Sequence, residues 1–219
     1  RVVGPTISAS LANELQLQVA DAGPGGMASA RLWVSQDNGN TWAEGPVIPA
    51  PYASVPWTAE RDGRYRFAVV AVDQAGNTTP GPKGAADDQG VLLVDTTKPA
   101  VLLAQANGLV EAEGMKPRQK YAPGTRVAVQ FEVKDVALAP TPVTVWLATG
   151  PGQWKAVGEK LPADAAFRFE IPNTESRTAR IKVTAVDQAG NIGEAIATET
   201  FVIDGTVEVG PAGLDGLDL

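Results

Sequence analysis

The chain of 219 residues contains no cysteine and no histidine. Disulfides, thiolate chemistry and Cys/His metal centres are therefore excluded. Ser-His-Asp and Cys-His catalysis fall with them. A chain without cysteine tolerates an oxidising compartment but does not need one. No apolar run approaches the roughly 18 residues of a membrane-spanning helix, and nothing resembles a signal peptide. Arg1 is expected to mark a mature or cut terminus, so the missing signal says little about export. Cationic patches are also lacking. The first 96 residues carry 6 basic and 10 acidic side chains, and the rest carry 12 and 15, for a net charge of −7. Nucleic acid and anionic membrane surfaces are poor partners for two mildly acidic halves. What is plentiful is turn chemistry. The 23 glycines and 17 prolines suit an all-β chain better than a helical one.

A repeat organises these turns. Val72-Asp73-Gln74-Ala75-Gly76-Asn77 recurs identically as Val186-Asp187-Gln188-Ala189-Gly190-Asn191, 114 residues later. The flanks follow in the same order. Leu15 to Asp21 aligns with Val129 to Asp135, Trp33 with Trp146, and Trp42 with Trp154. Tyr65, Phe67, Val69 and Ala71 align with Ala179, Ile181, Val183 and Ala185. A period of this size gives one whole domain per repeat and is too long for a solenoid or a propeller blade.

Within each copy the local period is two. Arg126 to Val133 alternates over eight residues, and Tyr65 to Val69, Val143 to Leu147 and Phe167 to Ile171 do so over five. Such alternation places one face of a strand inward. Turn clusters separate the segments at Pro123-Gly124, Pro151-Gly152 and Ala189-Gly190-Asn191. The expected architecture is all-β, two tandem antiparallel sandwiches, with one short helical turn over Glu159 to Ala166. The expected domains are 1–97, 98–207 and a flexible tail, 208–219. The short linker around Val94 to Pro99 should restrict the angle between modules. Two segments break the repeat, a Pro/Gly-rich insertion over 78–90 and an irregular stretch over 105–124. Trp33 and Trp146 read as sandwich core. Trp57 also reads as core, with a binding-face role as its alternative.

Two local signals stand out. Ser35-Gln36-Asp37-Asn38-Gly39-Asn40-Thr41-Trp42 resembles the Asp-box of sialidase-type propellers. Asn38-Gly39 can take the left-handed angles of a tight hairpin, Asp37 can accept from turn amides, and Trp42 packs beneath the returning strand. It occurs once, so a propeller is not expected. A carbohydrate contact through Trp42 or the neighbouring asparagines is the alternative to a purely structural hairpin. The second signal is Asp73, Gly76 and Asn77, with its copy Asp187, Gly190 and Asn191, read as turns in which glycine supplies unusual angles and aspartate caps amides. The alternative is calcium, for which Asp73, Asp95, Asp187 and Asp204 are the candidates, although no dense acidic loop is present.

The order of these features resembles bacterial immunoglobulin-like or fibronectin type III-like modules. It runs from Pro-Gly through an alternating strand ending in Asp and a Trp hairpin, to a strand entering Ala-x-Asp-x-Ala-Gly-Asn. The resemblance spans roughly Pro5 to Asp204. It implies Ig-like/FnIII-like sandwiches and, at Tyr65 but not at Ala179, a tyrosine-corner bond. It also implies a non-catalytic spacer or adhesion-type module of a larger exported bacterial protein, extracellular, on the cell surface or periplasmic. The fragment is expected to be monomeric, without membrane insertion, and to meet a protein or polysaccharide surface. The alternative is a carbohydrate- or protein-binding accessory module attached to a secreted hydrolase. A catalytic role would need two facing carboxylates, and no catalytic residue is assigned.

Overall fold

The computed structural model describes residues 2–3, 6–18, 25–87, 89–103 and 119–205. The described residues form seventeen β-strands and one 3-10 turn, with no α-helix among them. The chain divides into two compact units. The first comprises 1–97 with Gln188–Asn191, and the second comprises 98–187 with 192–219. Most of the stretch over 105–124 and the whole tail over 208–219 lie outside the described residues.

The first unit contains β1 (Val2–Val3), β2 (Ile7–Ser8), β3 (Ala12–Leu17), β4 (Met27–Ser35), β5 (Ala43–Ile48), β6 (Ser54–Thr58), β7 (Gly63–Asp73) and β8 (Gly90–Val94). They make a three-stranded sheet, β1-β3-β6, and a five-stranded sheet, β2-β8-β7-β4-β5. All pairs are antiparallel except β2 with β8. Period-two alternation makes the core. Leu15 and Leu17, Leu32, Val55, Tyr65, Phe67 and Leu92 are all buried in one cluster.

The second unit contains β9 (Ala100–Leu103), β10 (Lys120–Tyr121), β11 (Arg126–Lys134), β12 (Leu138–Ala148), β13 (Trp154–Leu161), β14 (Asp164–Glu170), β15 (Ser176–Asp187), β16 (Ile192–Ile196) and β17 (Phe201–Ile203). Its three-stranded sheet is β9-β11-β14 and its larger sheet is β10-β17-β15-β12-β13, with β16 also on β15. Strand for strand, this is the order of the first unit. Registers agree as well. Trp33 faces Ala68 across β4 and β7, and Trp146 faces Lys182 across β12 and β15. Val129, Phe131, Val143, Val145, Ile181 and Val183 form the second core.

β16 has a vestige in the first unit, the single bridge between Val72 and Thr78. Beyond it the insertion over 78–90 leaves the sheet. It is tied back where Gln89 Oε1 accepts from the Val69 amide at 3.2 Å, so a side chain completes the β7 ladder. The insertion also meets the hairpin after β4. Arg66 donates to Asn38 Oδ1 at 2.9 and 2.7 Å and to the Ala85 carbonyl at 3.3 Å.

Three expectations are corrected. Residues 159–166 form no helical turn, because Trp154–Leu161 and Asp164–Glu170 are both strands. Trp33 and Trp146 are not core. Leu32 and Leu147 point inward, so their sequence neighbours on the same strands point outward, and both indoles are only half-buried. On that outer face Lys182 Nζ lies 5.3 Å from the Trp146 ring and 4.9 Å from the Trp154 ring, and Trp146 Nε1 donates to Thr184 Oγ1 at 2.9 Å.

Leu32, fully buried, and Val47, 56% exposed on the neighbouring strand, separate core from surface. Leu32→Ala should cost about 2–5 kcal/mol and Val47→Ala less than about 0.5 kcal/mol, read as shifts in the urea midpoint at unchanged m-value.

Candidate functional site

Side-chain oxygens fold back to close the hairpin after β4. Asn38 and Gly39 have φ of 64° and 88°, the left-handed pair of a tight turn. Asp37 Oδ1 accepts from the Thr41 amide and the Ser35 hydroxyl, both at 2.8 Å, and Oδ2 accepts from the Thr41 hydroxyl at 2.6 Å. Ser35 Oγ in turn accepts from the Gly39 amide at 2.8 Å. The Thr41 hydroxyl and amide, with the Ser35 hydroxyl, hold the pKa of the Asp37 carboxyl down to about 2, against the opposing effect of desolvation. Gly39 is constrained twice. Its φ is positive, and a Cβ there would lie 2.5 Å from Ala85 Cα of the insertion.

Asp73 closes the turn after β7 in the same manner. Its Oδ1 accepts from the Asn77 amide at 2.8 Å and its Oδ2 from the Asn77 side chain at 2.7 Å. Those two bonds, the side-chain one first, lower its pKa. Gly76 has φ of 88°. In the copy Gly190 has φ of 93°. Asn191, which belongs to the first unit, donates its side-chain amide to the Asp95 carbonyl at 2.7 Å. Asp62, which the sequence pattern does not mark, ties down the other end of the first unit's large sheet. It accepts from the Thr96 amide and hydroxyl at 3.0 and 2.8 Å and from the Thr97 hydroxyl at 3.0 Å. Desolvation opposes, and these bonds still lower its pKa.

Of the calcium candidates, Asp73 ends β7 and Asp95 follows β8. These strands are antiparallel with Gly63 opposite Val94, so the two carboxylates stand at opposite ends of one sheet. Asp187 ends β15, whose first residue Ser176 pairs with Ile203, so Asp204 is likewise at the far end from Asp187. Within either unit the two candidates cannot share an ion. Asp73 is engaged by its turn, Asp95 Oδ1 accepts from the Thr97 amide at 3.1 Å, and Asp204 meets Lys120 at 2.9 Å. Asp187 is buried, and a carboxylate oxygen of Asp135 approaches it within 4.8 Å. Asp135 closes its own turn by accepting from the Ala137 amide at 2.7 Å. Fifty-two positions separate the two acids in sequence, and no local motif marks their approach.

A second feature is a hollow of about 370 Å³ in the first unit. It opens between β5 and β6, the edge strands of the two sheets. Trp42 and Trp57 line it together with Gln36, Glu44, Thr58 and Glu60. Trp57 is half-buried and sets its ring against Tyr65 and Phe67, at centroid distances of 4.7 and 4.9 Å and steep interplanar angles. Trp42 is half-buried, and its indole N–H is shielded from solvent without an acceptor among the described residues. Glu44 meets Arg31 at 3.4 Å on the exposed surface. Register identifies the counterparts. Asn13 faces Trp57 and Val127 faces Phe169, which aligns Trp57 with Phe169. In the second unit the ring of the adjacent Phe167 lies over Gly158, where an added Cβ would come within 2.4 Å of it. A further hollow of about 210 Å³ lies beside Asp73 and Asn77.

No protein-family model matches the chain. No curated protein matches it either. Among solved structures it is similar to an engineered protein, at 15% identity and a TM-score of 0.31, over 56% of this chain and 23% of that one. No helix among the described residues is long and apolar enough to cross a membrane.

Because the folded pKa of Asp37 lies below its ordinary value, its contribution to stability is present above about pH 4 and fades as pH falls toward 2. Asp37→Asn should lower the urea midpoint at pH 7, and the gap to the parent should close over that acid window. A pH-independent gap would contradict the charge-based account. Gly39→Ala should cost at least about 1–3 kcal/mol from backbone strain alone, measured by the same midpoint.

Proposed function

We propose that the chain is a non-catalytic interaction segment of a larger exported bacterial protein, a spacer or adhesion-type element built from two immunoglobulin-like or fibronectin type III-like β-sandwiches. The observation that carries this reading is the repetition of one strand order, with its own core, in both units. Split first strands support the family likeness. β1 joins the three-stranded sheet while β2 runs parallel to β8 in the other, and β9 and β10 divide in the same way. Tyr65 adds to it. Near the start of β7 its hydroxyl donates to the Arg61 carbonyl at 2.7 Å and accepts from the Arg61 amide at 3.3 Å, in the manner of a tyrosine corner.

The use made of the acids supports a structural role. Asp37, Asp62 and Asp73 all spend their carboxylates on nearby amides and hydroxyls, and their lowered pKa values suit caps rather than general acids, which need raised ones. An extracellular, cell-surface or periplasmic setting comes with the family likeness, and a polysaccharide or protein surface is the partner this reading expects.

The second reading is an accessory module that binds carbohydrate. The observation in its favour is the hollow lined by two tryptophans, whose volume falls in the range of small-ligand sites.

Single-molecule stretching tests the spacer reading. Two modules with separate cores should unfold in two force events, each releasing on the order of 300 Å of chain. One cooperative event, or a gradual extension without peaks, would contradict it.

A further inference from the structure

We propose that the hollow between β5 and β6 of the first unit is a binding site for an amine-bearing saccharide, a hexosamine unit with a free ammonium group. This rests on the carbohydrate-binding reading and specifies its site and ligand class.

Aromatic faces and carboxylates are combined here. Two indoles, Trp42 and Trp57, share the hollow with the exposed carboxylates of Glu44 and Glu60, and no basic side chain lines it. Indole presents an electron-rich face to C–H groups of a sugar ring and to cations alike. Two carboxylates at the rim repel acidic sugars and favour an ammonium. Glu44 is partly offset by Arg31. Gln36 and Thr58 add an amide and a hydroxyl for ring hydroxyls. Trp57 is braced by Tyr65 and Phe67, so a ligand would meet a platform already ordered, which lowers the cost of binding. The buried N–H of Trp42 is an unmet donor, which native structures seldom leave without a reason.

The second copy of the repeat shows what the first lacks. Trp154, counterpart of Trp42, carries the Lys182 ammonium 4.9 Å from its ring, and Lys182 also meets Glu194 at 3.9 Å. At the ladder position of Lys182 the first unit has Ala68, which is buried. The second unit thus supplies its tryptophan with a cation from its own chain. The first keeps the tryptophan and gathers carboxylates around it without that lysine. At the corresponding sheet edges of the second copy the Phe167 ring lies against Gly158, whereas in the first the hollow opens between Trp42 and Trp57.

The test is a calorimetric titration of the full chain at 150 mM salt with four probes: fully deacetylated chitotriose, N-acetylated chitotriose, cellotriose and trilysine. Deacetylated chitotriose should bind at least tenfold tighter than the two neutral trisaccharides and tighter than trilysine. Glu60→Gln, at an exposed position, should weaken it at least fivefold without moving the melting temperature, and Trp42→Phe should weaken it as well. Equal binding of trilysine, or binding indifferent to both substitutions, would reduce the effect to attraction between a cation and an acidic protein and overturn the proposal. Neutral trisaccharides binding as tightly as the deacetylated one would overturn the amine preference and leave the carbohydrate reading standing. No binding by any trisaccharide would overturn both.

Discussion

Each unit depends on one antiparallel pair of long strands at the middle of its larger sheet, β4 with β7 and β12 with β15. The registers of these pairs, Leu32 opposite Val69 and Leu147 opposite Ile181, decide which side chains meet the smaller sheet and which face outward. Because side chains alternate strictly, that register also fixes the outer face. Tyr65 and Phe67 reach inward to Trp57, while Lys182 on the outer side covers Trp146 and Trp154. The strand ends then need closure, and the chain provides it with short acids. Asp37 secures the β4 end, Asp73 the far end of β7, and Asp62 the loop leaving β8. A carboxylate that accepts two or three nearby donors is worth more to a tight turn than an apolar residue, because it satisfies amides that no ladder can reach.

Much of this could be read in the sequence. The hexapeptide around Asp73 and Asp187, and the alternation through Arg126 to Val133, announce strands and turns because both signals are local. Long-range facts were harder to read. Trp33 and Trp146 read as core from their apolar side chains and strand setting, yet one position of register separates the inner face from the outer. Glu159 to Ala166 looked like a helical turn because its alternation is broken by a bend between two strands. Trp57 found its counterpart in Phe169 only through the ladders, since the intervening loops differ in length. The approach of Asp135 to Asp187 follows from two strands that are distant in sequence. The hollow could not be anticipated either, because it is formed by the edges of two different sheets.

The two copies share one strand order and differ at particular places. Where the second unit extends β16, the first keeps one bridge at Val72 and sends the chain out as the insertion, which returns to lie against Gly39. Where the second unit sets the Phe167 ring against Gly158 at its sheet edges and lays Lys182 over Trp154 on the outer face, the first opens a hollow between tryptophans and acids. On the proposed reading, one scaffold serves as a spacer in one copy and carries a recognition face in the other. The Asp-box-like hairpin gains a purpose in this account: it fixes Trp42 at the edge of that hollow and anchors the insertion through Asn38 and Arg66.

Each unit is organised around its own central strand pair. Native-state amide hydrogen exchange measures this most directly. The slowest amides should fall into two separate sets, one on β4 and β7 and the other on β12 and β15, with the short edge strands exchanging sooner. A single protected set confined to one unit, or slowest exchange on the three-stranded sheets, would contradict it.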